Sequence, residues 1–174
     1  MEQITLQKKR QRMRWRRALL LIGLSMPVAA WADCFDAAAA YQGVNPMVLR
    51  AIAWVESRGN PNAEHHNENG TVDIGELQIN SIHLPELRTY GVSMRALRNE
   101  CVNIYVAAWH LKKQIVRYGN NWNAVGAYHS ATPHLRDEYA ALVRGALRHL
   151  DAIPHPPWRR RNVSTYYASN GSNE

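Results

Sequence analysis

Two carboxylates, Glu56 and Asp73, stand in stretches whose patterning suits them to act on one substrate. Asn45-Pro46 opens a helix, since asparagine caps free N–H groups and proline at the first helical position gives up no needed donor. Val48, Ile52 and Val55 recur at helical spacing, and Glu56 lies one turn beyond Ile52, on the edge of that stripe. Ser57-Arg58-Gly59-Asn60-Pro61 then stops the helix. A carboxyl at the end of an apolar stripe is partly desolvated, so its pKa rises and it keeps its proton near neutrality. The plainer alternative is a solvated glutamate at a frayed helix end. Asn67-Glu68-Asn69-Gly70 is a tight-turn signal, and Thr71-Val72-Asp73-Ile74 reads as a short strand leaving it. A helix-borne acid facing a carboxylate on a neighbouring hairpin is an arrangement that serves glycosidic-bond cleavage. Asp73 also reads as an aspartate that closes a hairpin by local hydrogen bonds.

The elements that must position these groups are mostly helical. Asp36 to Tyr41 is alanine-rich, with Gly43 where a left-handed cap belongs. Asn60 to Gly70 is polar without hydrophobic period and reads as a loop. Gly75 permits close backbone approach, and Leu77-Gln78-Ile79-Asn80 leads onward. Ser81 to Tyr90 reads as one short helix interrupted by Pro85, and Ser93 caps another, Met94 to Arg98. From Asn99, the residues Cys101, Ile104, Ala108, Leu111 and Ile115 step by three and four, an amphipathic helix that ends at Gly119. Lys112, Lys113 and Arg117 near its end suit the helix dipole and read as a solvated face. Asn121 caps a helix from Trp122 to about His129, and Pro133 separates it from a last one, about Leu135 to Leu150. Trp54, Trp109 and Trp122 offer rings on which sugars stack, although core packing is the simpler reading for each. The sum is an α+β chain, predominantly helical, with one small β-hairpin.

At 174 residues the chain is one domain long. Its formal charge of +7 is concentrated at the ends: residues 1–32 carry seven Lys/Arg against Glu2, leaving 14 Lys/Arg and 13 Asp/Glu for the rest. Arg159, Arg160 and Arg161 lie beyond the last helix, so the folded part is nearly neutral and gives no support for nucleic-acid binding. The basic stretch to Arg17, the apolar run Ala18 to Ala30 and the small-x-small Ala30-Trp31-Ala32 read as a signal peptide, residues 1–32. That run is shorter than the about 20 residues a spanning helix needs, so no stable span is expected after cleavage, with an uncleaved anchor as the alternative reading. In an oxidising compartment the two cysteines, Cys34 and Cys101, most simply pair. His65-His66 reads as solvated, and no motif holds a metal. Residues 153–174, with Pro154, Pro156, Pro157, Trp158 and the three arginines, read as a disordered basic tail.

Glu56-Ser57-Arg58 with Asn62-Ala63, followed by Asp73-Ile74-Gly75-Glu76-Leu77-Gln78-Ile79-Asn80, resembles the soluble lytic transglycosylases of the lysozyme-like superfamily. The resemblance is to the small specialised enzymes that accompany type III secretion, type IV pilus and conjugation machines. Trp122 to Tyr128 resembles the family's third block, and Tyr139 with Val143 its fourth, so the likeness spans about Cys34 to Leu150. Two departures stand out. Glu76 replaces the apolar residue usual after the glycine, which puts an extra charge near the groove, and His129 in Tyr128-His129-Ser130-Ala131 stands where the family has a substrate-contacting asparagine.

The resemblance implies a lysozyme-like domain over residues 33–152 with a substrate cleft. It implies cleavage of the bond between N-acetylmuramic acid and N-acetylglucosamine in peptidoglycan glycan strands, with Glu56 as proton donor and then base, a 1,6-anhydro product, and no cofactor or metal. Asp73 would stabilise positive charge on the ring, Gln78 and Tyr128 would contact sugar, and Tyr139 would hydrogen-bond Glu56. Ser57, Gly75 and Asn80 would shape the site. The implied setting is the periplasm, as a monomer that meets structural proteins of an envelope-spanning machine. The rival readings are a hydrolytic muramidase, in which water attacks, and a wall-binding module without turnover.

Overall fold

The structure, a computed structural model, describes residues 33–153. The expected signal peptide and all but the first residue of the expected tail lie outside the described residues. Asp33 caps the first helix, α1 (Cys34–Gln42), by accepting the Asp36 N–H at 3.0 Å, and Gly43 closes it at φ 64°. The next, α2 (Pro46–Ser57), starts where the Asn45 side chain accepts the N–H groups of Met47 and Val48. It ends on Arg58 in the left-handed region.

Three short antiparallel strands follow in the order β1 (Glu64–His66), β2 (Val72–Ile74) and β3 (Ile79–Asn80), with Asp73 opposite His65 on one side and Asn80 on the other. The sheet thus has one strand more than the single hairpin expected from the turn signal. Strand β1 falls in the stretch expected to be loop. All three of its side chains are exposed, so its pairing comes from the backbone ladder with β2 and not from a buried face. Beyond β3 a 3-10 turn (Ser81–His83) leads into α3 (Leu84–Arg88). Pro85 stands in the first turn of α3, where it needs no donor, so it starts that helix and does not interrupt one.

Ser93 caps α4 (Met94–Leu97), Asn99 caps α5 (Glu100–Tyr118) and Asn121 caps α6 (Trp122–Ala127), each with its side-chain oxygen on backbone N–H groups. The last helix, α7 (Pro133–Asp151), packs on α2 and α6. At the α6–α7 crossing a Cβ on Gly126 would stand 2.1 Å from the Arg136 carbonyl oxygen, so the two backbones touch where only glycine fits. Leu49 and Ile52 from α2, Ile74 and Leu77 from the sheet region, and Ile104 and Leu111 from α5 are fully buried and make one core. The Cys34–Cys101 disulfide, with Cα atoms 5.3 Å apart, ties the start of α1 to the first turn of α5. Among the described residues no helix is long and apolar enough to cross a membrane.

Candidate active site

The end of α2, the sheet, and the segment after α6 enclose a cavity of about 840 Å³. Glu56 and Asp73 both line it, so the fold brings together the two carboxylates that lie 17 positions apart in sequence. Glu56 is half-buried at the last turn of α2, and the Tyr139 hydroxyl, delivered by α7, donates a hydrogen bond to its Oε1. Burial pushes the Glu56 pKa from 4.5 up to about 7; the Tyr139 bond opposes that rise, and the charge of Asp73 adds to it. A carboxyl so held is protonated in a large share of molecules near neutral pH and is placed to give that proton up.

Asp73 is fixed differently. Asn67 donates to its Oδ2 at 2.9 Å and Asn80 to its Oδ1 at 2.7 Å, while Thr71 Oγ1 accepts from both asparagines at 3.1 Å. The aspartate therefore closes the hairpin by local hydrogen bonds and also faces the cavity. Gln78 lines the same wall with φ 47°, and its Nε2 donates to the Gly75 carbonyl at 2.8 Å.

Tyr128 and His129 also line the cavity. The Tyr128 hydroxyl is turned inward and donates to the Leu77 carbonyl at 2.9 Å, leaving its ring against the cavity. Burial raises the pKa values of both Tyr128 and Tyr139 well above the phenolic range, so both stay neutral donors. The His129 ring lies parallel to Tyr139, 4.9 Å between centroids and 6° between planes, over the side chain that holds Glu56.

Ser57 and Gly75 do not line the cavity; they brace it. Ser57 Oγ donates to the Glu76 carbonyl at 2.7 Å and accepts the Asn60 N–H at 2.9 Å. Gly75 has φ 78°, and a Cβ there would lie 2.3 Å from Asn103 Nδ2. Glu76 is not at the groove. Its side chain is buried on the far side of the segment, within the field of Arg50, Asp33 and Glu100. The departure from the family pattern at this position therefore adds no charge to the cavity. None of the three singled-out tryptophans lines the cavity either: Trp54 stacks on His149 in a separate groove, while Trp109 and Trp122 lie under Lys113 and Arg144.

Two residues that shape the site escaped the sequence reading. Asn103 is fully buried on α5; its Nδ2 donates to the carbonyls of Ile74 and Leu97, and its Oδ1 accepts the Leu77 N–H. The signal was present as a polar residue one turn before Ala107 on a buried helix face, because a polar group there must find backbone partners. His110, on the same helix, lines the cavity, and its Nε2 lies 3.2 Å from the Tyr128 carbonyl. Burial, with His83 beside it, lowers its pKa to about 4, so it is neutral and donates through Nε2.

The transglycosylase SLT domain family matches residues 33–141. The chain is similar to the invasion protein IagB of Salmonella typhimurium (strain LT2), 36% identical over 121 residues, which are 69% of this chain and 76% of that protein. It is likewise 36% identical to protein IpgF of Shigella flexneri over 117 residues, 67% of this chain and 77% of that one. The X polypeptide of Escherichia coli (strain K12) matches at 36% over 118 residues, 67% and 69% of the two chains. The match begins at the residue that caps α1 and runs through Tyr139 on α7, so the whole frame around Glu56 lies inside it. The chain belongs to the transglycosylase SLT domain family and is a peptidoglycan lytic transglycosylase.

Proposed function

We propose that the protein is exported to the periplasm, with cleavage after Ala32, and there cuts the β-1,4 bond between N-acetylmuramic acid and N-acetylglucosamine to leave 1,6-anhydro ends. Protonated Glu56 gives its hydrogen to the leaving glycosidic oxygen as the C1–O bond breaks and positive charge grows on the muramyl ring. The ionised Glu56 then takes the proton of the muramyl C6 hydroxyl as that oxygen bonds to C1. The carboxyl ends the cycle protonated, and no water is consumed. Asp73, held by two amide donors, stabilises the ring charge. Gln78, Tyr128 and His129 bound the sugar. The role is local opening of the wall for a secretion, pilus or conjugation apparatus.

The observation that carries this reading is Glu56, half-buried under the Tyr139 hydroxyl in a cleft that it shares with Asp73, where burial raises its pKa to about 7. A carboxyl at its ordinary pKa is almost wholly ionised at neutral pH and is a poor acid. Mass spectrometry of purified sacculi digested by the protein tests the reading. Anhydro-muramyl ends are expected; reducing muramyl ends mean that water is the nucleophile and that the enzyme is a muramidase.

A second expectation concerns Tyr139. Its hydrogen bond lowers the Glu56 pKa, so Tyr139→Phe moves that pKa above about 7. Activity that needs protonated Glu56 falls as pH rises through its pKa, so the alkaline limb of the pH–rate profile shifts upward in the variant. Its maximal rate falls about tenfold or more because the acid loses its orientation. An unmoved alkaline limb separates Tyr139 from the titration of Glu56.

A further inference from the structure

Away from the cleft, α1, α2, α5 and the segment after β2 meet in a corner with more acid than base. Asp33 and Glu100 each immediately precede a bridged cysteine, so the disulfide joins the segments that carry them. Arg50, buried on α2, bonds Asp33 at 2.7 Å and Asp36 at 2.8 Å. Glu76 completes the corner. It is only 8% exposed, its Oε1 lies against Gly59, and its Oε2 has no hydrogen-bond partner among the described residues. Burial, followed by the charges of Glu100 and Asp33, raises its pKa to about 7, against the pull of Arg50. Among the described residues four carboxyls thus share this corner with the Arg50 guanidinium, and Oε2 of the buried Glu76 has no hydrogen-bond partner among them. Such a group is costly unless something completes it.

We propose that this corner receives the α-ammonium group that hydrolysis of the Ala32–Asp33 peptide bond frees on Asp33, and that this cation pairs with Glu76. The inference rests on the export reading for the cleavage alone; the chemistry of the cleft does not enter it. The new charge arises on a residue that the buried Arg50 already holds at 2.7 Å in this corner. Its seat bears on the active segment. The Glu76 carbonyl accepts from Ser57 at the end of α2, the neighbouring Leu77 N–H is held by Asn103, and Asp73 and Gln78 lie three and two positions away. Docking at Glu76 therefore firms the stretch that carries both cavity-lining side chains, and processing completes the enzyme.

The experiment uses the full chain, expressed with its leader and recovered from the cell envelope. N-terminal sequencing comes first. A start at Asp33 is expected, while another start removes both the cleavage site and this proposal and leaves the cleft chemistry standing. Three processed proteins are then compared: the parent, Glu76→Gln, and a variant with Gly-Ser inserted before Asp33, which carries the α-amino group about 7 Å away. Limiting acetic anhydride at pH 7.5 is expected to label the parent α-amino group about five- to tenfold more slowly than the other two, because pairing keeps it protonated above its ordinary pKa of about 7.7–8.0. Both variants are expected to melt several degrees lower than the parent at pH 7.5. That gap closes below about pH 4, where a paired carboxylate takes up its proton and the pair is lost. Turnover of the insertion variant on sacculi is expected to fall about threefold. Equal labelling in all three proteins overturns the proposal. So does a higher melting temperature for Glu76→Gln, which is what removal of a lone buried carboxyl gives, or unchanged turnover in the insertion variant.

Discussion

Glu56→Gln is expected to lower turnover on purified sacculi by about a thousandfold while leaving the fold intact, within the range that removal of a general acid gives. The amide fills the same space and its oxygen still accepts the Tyr139 hydroxyl, but it has no proton to transfer. Stability moves the other way. The folded pKa of Glu56 is raised from 4.5 to about 7, so folding favours the protonated form. The stability this carboxyl allows is fully present below about pH 4.5 and is lost as pH rises through about 7. The loss amounts to at most about 3 kcal/mol and to less in practice, because the side chain keeps some contact with solvent. Glutamine removes that loss, so the variant melts with the parent at pH 4 and above it at pH 8. Parallel measurements of turnover and of thermal midpoint at the two pH values check both halves. A fall in turnover of less than tenfold takes the proton-donor role away from Glu56.

Asn103→Leu is expected to be the most damaging change away from the cavity. Leucine branches as asparagine does but is bulkier, so it crowds a fully buried position and leaves the carbonyls of Ile74 and Leu97 and the N–H of Leu77 without partners. At about 1–3 kcal/mol for each unsatisfied group, the sum approaches the about 5–15 kcal/mol that holds a whole domain together. A thermal midpoint lower by roughly 10–20 °C follows, and circular dichroism reads it directly. Activity goes with it even at temperatures where the variant is folded, because Ile74 and Leu77 flank the Gly75 backbone that fits under the Asn103 amide. A variant that melts within about 2 °C of the parent contradicts this account of the turn.

Local chemistry made much of this frame legible in sequence. Asn45, Ser93, Asn99 and Asn121 cap helices because a short polar side chain reaches its own first turn, a decision taken within three residues. The stripe through Ile104 and Leu111 located the central helix for an equally local reason. What depended on distant partners was not legible. The strand at Glu64–His66 has no alternating pattern, since its existence rests on a ladder with Val72–Ile74. The direction of the Glu76 side chain follows from a left-handed backbone at Gly75 and from charges on three other elements. Even the reading of Pro85 as an interruption failed on a two-residue question, whether it stands inside a helix or at its first turn. Periodicity speaks of faces; it is silent on the single asparagine within a face that stitches helix to loop.

The Cys34–Cys101 bridge has a topological corollary. It closes a ring of the chain 67 positions long, and both Glu56 and Asp73 lie inside that ring, on either side of the exposed turn at Glu68–Gly70. A protease that nicks this turn leaves the two acids on different peptides, yet the peptides remain one covalent molecule. Such a clipped enzyme keeps its halves at tethered, not free, concentration, so a single scission in this exposed loop does not release either carboxylate from the other.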